Sequence, residues 1–398
     1  MRKALYLLAG AMLFAASPAF AQDTITIGFT ASQTGKLNND STSQMRGIEL
    51  WRDDVNAHGG IKAGGKTYKV KLVTYDDESQ NTRVQQLYTR LITQDKAQFL
   101  ISPYSSGLTA TAAVVSEQYG KVMITTGAAL QKTYKLGNKH LFQIYTGTGG
   151  YLISALQALL EKNPHPRVAF VFEDDPFSKA VAISVRDEAK KKGVDVVVDE
   201  AYAGSTTDFS PIINKVIAAK ATALLGGGHY ADGATLARQL HEQKANLKWV
   251  TLLVAPDSPH FAQQLGDAAD GIITPAQWEP QVTFKPDFGP TCAAFAKEFT
   301  DKFKIAPGYH AAGGYAAGII LQHAIETANS IDPNKVTAAL NKMDVTTFFG
   351  HTKFATDAKD HGLQIGHQMV LAQWQKKGGK LVKEIVWPDA AKTANIVY

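Results

Sequence analysis

From Thr24 onward the chain alternates short runs of β-branched and aromatic residues with longer stretches of helical periodicity, and it does so in two consecutive sets. In the first set, Ile25–Ala31, Tyr68–Tyr75, Gln98–Ser102, Val122–Thr126 and Leu141–Tyr145 read as strands, with helices over Thr42–His58 and Asn81–Gln94. In the second, Arg167–Phe172, Val194–Val198, Ala223–Leu225, Trp249–Val254 and Gly271–Thr274 read as strands, separated by helices over Gly149–Glu161, Lys179–Lys192, Phe209–Ala219 and Ala231–Lys244. A parallel neighbour can be reached only by a crossover long enough for a helix, and a parallel sheet must be covered on both faces. The pattern therefore predicts an α/β fold with two sheets, each set large enough for its own core. After Trp278 the texture changes. Asp287–Phe303, Tyr309–Ala328 and Pro333–Asn341 read as helices, and strands return at His367–Trp374 and Leu381–Trp387 across a Lys376-Lys377-Gly378-Gly379 turn. We read this tail as elements that complete the two sheets, not as a third domain.

The N-terminus reads as a targeting device. Met1-Arg2-Lys3 is basic, Ala4–Ala16 is apolar, and Ala19-Phe20-Ala21 is the small-x-small pattern of a signal-peptidase site. Residues 1–21 are thus expected to be a signal peptide cleaved near Ala21. No later stretch reaches about 18 unbroken apolar residues, and no Cys stands at the cleavage site, so an exported protein in a bacterial periplasm without a lipid anchor is expected. The formal net charge is +5, of which Arg2 and Lys3 in the leader contribute two, with both signs scattered through the rest. That balance argues against a nucleic-acid or membrane partner. Cys292 is the single cysteine, so no internal disulfide can form; with nothing basic beside it, it reads as a buried apolar residue on a helix.

The stretch Phe99–Ala113 (FLISPYSSGLTATAA) is the most suggestive. An apolar strand stops at Ser102-Pro103, and Tyr104-Ser105-Ser106-Gly107 leads into a Thr/Ala-rich helix that Ser105 or Ser106 would cap. A strand end that delivers hydroxyls and free amide N–H groups to a helix N-terminus can hold a small anion; the plainer use of such a serine is as a cap alone.

Catalytic signatures are missing. There is no Gly-x-Ser-x-Gly elbow, no His-Glu-x-x-His and no Walker loop. Gly147-Thr148-Gly149-Gly150 lacks the third glycine of a dinucleotide loop. Glu173-Asp174-Asp175 and Asp76-Asp77 lack the interleaved ligands of a calcium loop and read as acids near helix starts. His361 and His367 read as a solvated loop residue and a strand start. We therefore expect no enzyme, no cofactor and no metal. What remains is a set of strand exits rich in hydroxyl and aromatic residues: Gln33-Thr34-Gly35, Tyr104-Ser105-Ser106, Thr126-Gly127-Ala128-Ala129, Asp175-Pro176-Phe177, His229-Tyr230 and Pro256-Asp257. Ligands bind beyond the carboxyl ends of parallel strands, and two such edges facing each other form a cleft that can close by hinge motion.

The ordered series strand-Thr34-Gly35, Val55-Asn56-Ala57-His58-Gly59-Gly60-Ile61, Asp76-Asp77, Ser105-Ser106, Pro176 and Thr207-Asp208-Phe209-Ser210-Pro211-Ile212-Ile213 resembles the periplasmic binding proteins of the branched-chain amino-acid (Leu/Ile/Val) type that feed ABC importers. The resemblance spans nearly the whole chain beyond the leader. It implies the type I fold: two Rossmann-like lobes with parallel sheets, joined by three hinge crossovers near Tyr145, Ala276 and Gly350. Lobe one would be 22–145 plus 276–350, and lobe two 146–275 plus 351–398. Ser106 would match the serine that grips the ligand carboxylate, with Ser105 beside it; Gly127, Ala128 and Ala129 would match the loop that supplies a carbonyl and an N–H. Ala129 stands where a Thr is usual, and Phe177 and His229 where Tyr is usual. Asp257 falls near the acid that receives the ammonium. With Tyr104, Tyr230 and Trp278 the chain adds flat groups, which suit a planar ligand. The expected function is an ABC-importer solute-binding protein, a monomer, that presents a small carboxylate to an inner-membrane permease, with an aromatic or related organic acid favoured over an aliphatic branched-chain amino acid. An exported α/β enzyme and a receptor input module are the readings from other classes.

Overall fold

The structure, a computed structural model, describes residues 23–398. The expected signal peptide and its cleavage near Ala21 lie outside the described residues. The first sheet is built from β1 (Thr24–Ala31), β2 (Ile61–Ala63), β3 (Lys66–Asp76), β4 (Phe99–Ile101), β5 (Met123–Thr125) and β6 (Leu141–Gln143), in the order β2-β3-β1-β4-β5-β6. Every pairing is parallel except the β2–β3 hairpin. One face is covered by α2 (Asn81–Thr93) and α3 (Ser106–Gln118), through Tyr88, Leu91 and Leu108; α1 (Asn38–Ala57) covers the other through Ile48 and Trp51.

The second sheet follows α4 (Gly149–Lys162). Its strands are β7 (Arg167–Glu173), β8 (Asp195–Tyr202), β9 (Ala223–Gly227), β10 (Trp249–Leu252) and β11 (Ile273–Ala276), all parallel to their neighbours. Between them run α5 (Pro176–Lys191), α6 (Ser210–Ala218), α7 (Tyr230–Glu242) and the short α8 (Pro259–Leu265). The chain then returns to the first sheet with α9 (Cys292–Phe303), α10 (Tyr309–Ala328) and α11 (Pro333–Leu340), followed by a hairpin of β12 (Asp344–Thr347) and β13 (Gly350–Lys353). Finally β14 (Val370–Lys377) and β15 (Lys380–Trp387) add antiparallel to β11, completing the order β15-β14-β11-β10-β9-β7-β8. Here α4 and α5 cover one face and α6 and α7 the other.

Three expectations differ from what is found. The helix expected from Asp287 begins only at Cys292, where the Thr291 hydroxyl accepts the Ala294 N–H; Asp287 instead pairs with the hairpin, its carboxylate accepting the Thr346 N–H at 2.7 Å. Neither serine hydroxyl caps α3: Ser105 holds the cap position without a side-chain cap bond. His367 is buried, three residues before β14 begins. Cys292 is buried as expected, its S–H donating to the Phe348 carbonyl, and burial raises its pKa.

The three passages between the sheets are stitched together. Gln277 accepts the Thr146 N–H (2.9 Å) and donates to the Thr146 carbonyl (3.1 Å) and the Tyr151 hydroxyl (2.9 Å). The Thr146 hydroxyl lies 2.8 Å from His367 Nδ1, and His367 Nε2 lies 3.0 Å from the Phe349 carbonyl. Burial holds the His367 pKa down to about 4, so the ring is neutral, with Nε2–H donating to Phe349 and Nδ1 accepting from Thr146.

Helix α10 is apolar around most of its circumference, the pattern of a fully buried helix, and it meets α1 at backbone contact distance. A Cβ on Gly47 would come within 1.9 Å of the Ala311 carbonyl oxygen, and one on Gly314 within 2.1 Å of the Gln44 carbonyl oxygen. Main chain cannot give way as a side-chain tip can, so Gly314→Ala forces the helices apart and is expected to destabilise by about 1–3 kcal/mol. A urea titration reads this as a lower midpoint; an unchanged midpoint would mean that the contact is not held in solution.

Candidate functional site

The first sheet reverses its strand order between β1 and β4, and the second between β7 and β9. Crevices open at such points beyond the strand ends, and the two face each other. From the first, Ser102-Pro103 carries the chain out of β4 to Tyr104. From the second, Gly227-Gly228 carries it out of β9 to His229, which caps α7 and donates its backbone N–H to Asp232 Oδ1 at 2.9 Å. The Tyr104 hydroxyl and His229 Nδ1 meet at 2.7 Å, a buried hydrogen bond between the two halves, and the rings stand edge to face with centroids 5.5 Å apart.

Around this contact lies a small cavity of about 10 Å³. Of the residues expected at the site, Tyr104, Ser105, Ser106, Gly127, Ala129, Phe177 and His229 line it. The Ser106 hydroxyl oxygen accepts the Ala129 N–H at 3.0 Å, which leaves its own proton free to donate. Gly127 is required by its backbone: φ is +63°, and a Cβ there would lie 2.1 Å from Gln44 Oε1. Phe177, the second residue of α5, has its ring centroid 5.9 Å from that of His229 and 5.1 Å from that of Tyr151.

Four expected residues do not line this cavity. Trp278 lies in the first sheet's core, its indole N–H donating to the Phe348 carbonyl at 3.0 Å. The Tyr230 hydroxyl donates to Gln264 at 2.6 Å. The Ala128 carbonyl accepts from Gln143 Nε2 at 3.0 Å. Asp257 is occupied by the chain itself: Lys383 Nζ lies 3.1 Å from its Oδ1, and its Oδ2 accepts the Tyr309 N–H at 2.9 Å. Lys383 also reaches Glu279 at 2.8 Å, so one buried ammonium serves two buried carboxylates. Burial raises both acids, Glu279 to about 7, against the pull of Lys383.

Sequence reading missed the rest of the wall. Tyr145 and Tyr151 flank the first crossover, Val254 follows β10, and Tyr309 and His310 open the returning helix α10. His310 stands edge-on to Tyr104 with centroids 4.8 Å apart, and burial, then the His229 charge, lowers its pKa to about 3. Val254 has φ +49°, a strained conformation for a β-branched residue. The mixed sequence Tyr309-His310 at the start of a glycine- and alanine-rich helix was the available signal.

The electrostatics centre on His229. Burial works to lower its pKa, but Asp175, with Glu173 and Asp232 beyond it, overrides this and raises it to about 9. Asp175 itself, pushed up by burial, is brought down to about 2 by His229 and by the amides of Ser178 and Phe177 that it caps. Asp40, at the start of α1, is buried with Oδ2 unpartnered, and burial raises it to about 7 despite the pull of His229 and Tyr104. A second bond between the halves is the ion pair of Lys36 with Glu173 at 2.6 Å. Glu173, Asp175 and His229 come from three separate elements, and one ligand atom from each lies within 4.8 Å of the other two.

A family profile described as "Periplasmic binding protein" matches residues 24–380. The chain is 25% identical over 382 residues to an "Amino acid binding protein" of Pseudomonas aeruginosa, covering 92% of this chain and 91% of that one. It superposes with TM-score 0.78 on a branched-chain amino acid transporter substrate-binding protein, LivJ, of Streptococcus pneumoniae in complex with isoleucine (22% identity, 92% of this chain and 100% of that one). It superposes equally, at 0.78, on a solute-binding protein of an ABC transporter from Rhodopseudomonas palustris in complex with 3,4-dihydroxybenzoic acid (19% identity, 90% and 95%). At these identities the superpositions establish the fold.

The shifted groups give a pH profile. His229, raised from 6.5 to about 9, contributes stability that is full below pH 6.5 and lost as pH rises through 9. Asp40, raised from 3.8 to about 7, contributes stability present below pH 3.8 and lost as pH rises through 7. Asp175, lowered to about 2, contributes stability present above pH 3.8 and lost as pH falls through 2. Urea midpoints across pH are therefore expected to decline from pH 6.5 to 9 in the native protein, with His229→Gln flattening that limb and Asp40→Asn flattening the slope between pH 4 and 7. Unchanged slopes in both variants would contradict the assignment.

Proposed function

The chain belongs to the periplasmic binding protein family, and from that premise we propose that it serves an ABC importer by holding a small carboxylate, an aromatic or related organic acid, in the cleft between its two sheets. The observation that carries the choice of ligand class is the occupancy of Asp257. An α-ammonium group needs a buried acceptor, because an unpaired buried charge costs several kcal/mol. Asp257, which the family resemblance makes the natural candidate, already holds Lys383 and the Tyr309 N–H. The donors on the other side are plentiful: the Ser106 hydroxyl, the free amides at the start of α3 and the cationic His229. Rings of Tyr104, Phe177, Tyr145 and His310 supply flat apolar walls. The similarity to a protein bound to 3,4-dihydroxybenzoic acid supports this reading; the equal similarity to one bound to isoleucine supports an aliphatic amino acid as the second reading.

The expected lobe bounds, 22–145 plus 276–350 and 146–275 plus 351–398, move in this proposal to 22–145 plus 276–365 and 146–275 plus 366–398, with crossovers near Tyr145, near Ala276 and in the segment before β14. Residues 354–363 return to the edge of the first sheet, where the Gly362 carbonyl accepts the Gln143 N–H at 2.8 Å, so we place the third crossing at residues 366–369. The protein would work as an exported monomer in the periplasm, without catalysis, and deliver its ligand to an inner-membrane permease.

Isothermal titration with benzoate, 3,4-dihydroxybenzoate, phenylalanine and leucine tests the choice. Binding of the two acids with little or no heat from the amino acids is expected; tight leucine binding with silent benzoates would reverse it. Ser106→Ala is expected to weaken any carboxylate ligand by about 5- to 150-fold, the equivalent of roughly 1–3 kcal/mol. An unchanged affinity would leave Ser106 with only its bond to Ala129.

A further inference from the structure

Beside the cleft, the exits of β7 and β9 bring together Glu173, Asp175 and His229, and each has coordinating capacity that the fold leaves unused. Glu173 is 2% exposed; its Oε1 takes Lys36, and its Oε2 is buried without a partner. Asp175 uses Oδ1 to cap α5, and its Oδ2 is likewise buried and unpartnered. His229 engages Tyr104 through Nδ1, while its Nε2 makes only an ion pair with Asp175 Oδ1, 3.7 Å away and beyond hydrogen-bond distance. Glu173 Oε2 points at Gly228, where a Cβ would sit 2.4 Å from it and 2.7 Å from Asp232 Oδ2. Any side chain at position 228 would fill this cradle.

We propose that Glu173, Asp175 and His229 form a binding site for a divalent transition-metal cation, with Zn(II) as its best-matched occupant. One imidazole nitrogen and two carboxylates are a donor set that Zn(II) accepts with a further position left open, and their mutual spacing within 4.8 Å lets one ion reach all three. Groups that orient metal ligands are in place: Tyr104 on the other imidazole nitrogen, Lys36 on Glu173, and the Phe177 amide on Asp175. The charge balance favours a cation as well. Three carboxylates, Glu173, Asp175 and Asp232, gather here beside His229 and Lys36. Because Tyr104 and Lys36 belong to the other half of the molecule, the ion would sit where the two halves meet.

The test uses the mature chain, stripped with EDTA and dialysed, with ZnCl₂ as probe and no organic ligand present, so its result is independent of the ligand class proposed above. Isothermal titration is expected to show one Zn(II) per chain. Glu173→Gln, which preserves shape, and His229→Gln are each expected to weaken binding by about tenfold or more, with circular dichroism confirming that both remain folded. Zinc-edge X-ray absorption is expected to report one imidazole among oxygen neighbours, a readout available even if a variant fails to fold. Absence of zinc binding by the native chain, or stoichiometric binding that survives both substitutions, would overturn the proposal.

Discussion

A charged imidazole buried between two halves of a protein must be paid for locally, and His229 organises its surroundings around that need. Its charge is held by Asp175, which must sit at the start of α5 to be there; its backbone N–H is held by Asp232 one turn into α7; its Nδ1 is held by Tyr104 from the opposite sheet. Three helix starts and three strand exits are thereby fixed relative to one another. Buried polar groups of this kind raise the stakes: fully paired they specify one arrangement, and partly paired they destabilise it. Asp40, with an oxygen left unpartnered, is the weak member of the set.

Behind the cavity wall, rigidity is supplied in a different way. Helices α1 and α10 meet through glycine and alanine, with Trp51 laid across Gly318, so their separation is set by main chain and a single large ring. That contact fixes where α10 begins, and α10 begins with Tyr309 and His310 in the cavity wall. The Tyr309 N–H in turn ties to Asp257 of the other half. Helix–helix packing behind the cleft thus places groups in its wall.

Local patterns were readable in the sequence to the extent that their causes were local. Tyr309–Ala328 was legible end to end because Gly308 and Asn329 punctuate a continuous apolar run. The runs of β-branched residues marked the strands, and the order of short motifs marked the family. The helix expected from Asp287 began late because Asp287 had a partner 59 positions away in a hairpin with no strong signal of its own. Trp278 looked like a cleft aromatic because nothing nearby in sequence announced Phe295 and Phe348, between which it packs. Tyr309 and His310 were invisible as wall residues since only the return of the chain brings them there. Asp257 was placed by resemblance, and its partner Lys383, 126 positions on, was the fact no motif carried.

The Lys36–Glu173 pair has a consequence beyond its own small energy. It joins the halves without touching the cavity, and its lysine is half exposed while its glutamate is buried. If the cleft closes as proposed above, a contact made only when it is shut sets how often the empty protein is shut, and the apparent dissociation constant of any ligand is its intrinsic value divided by that fraction. Affinity in such a molecule has two dials. One lies among the cavity residues and changes which ligand is preferred; the other lies at Lys36 and scales every ligand alike, so evolution or an engineer can shift the working concentration range of the protein while leaving its selectivity as it was.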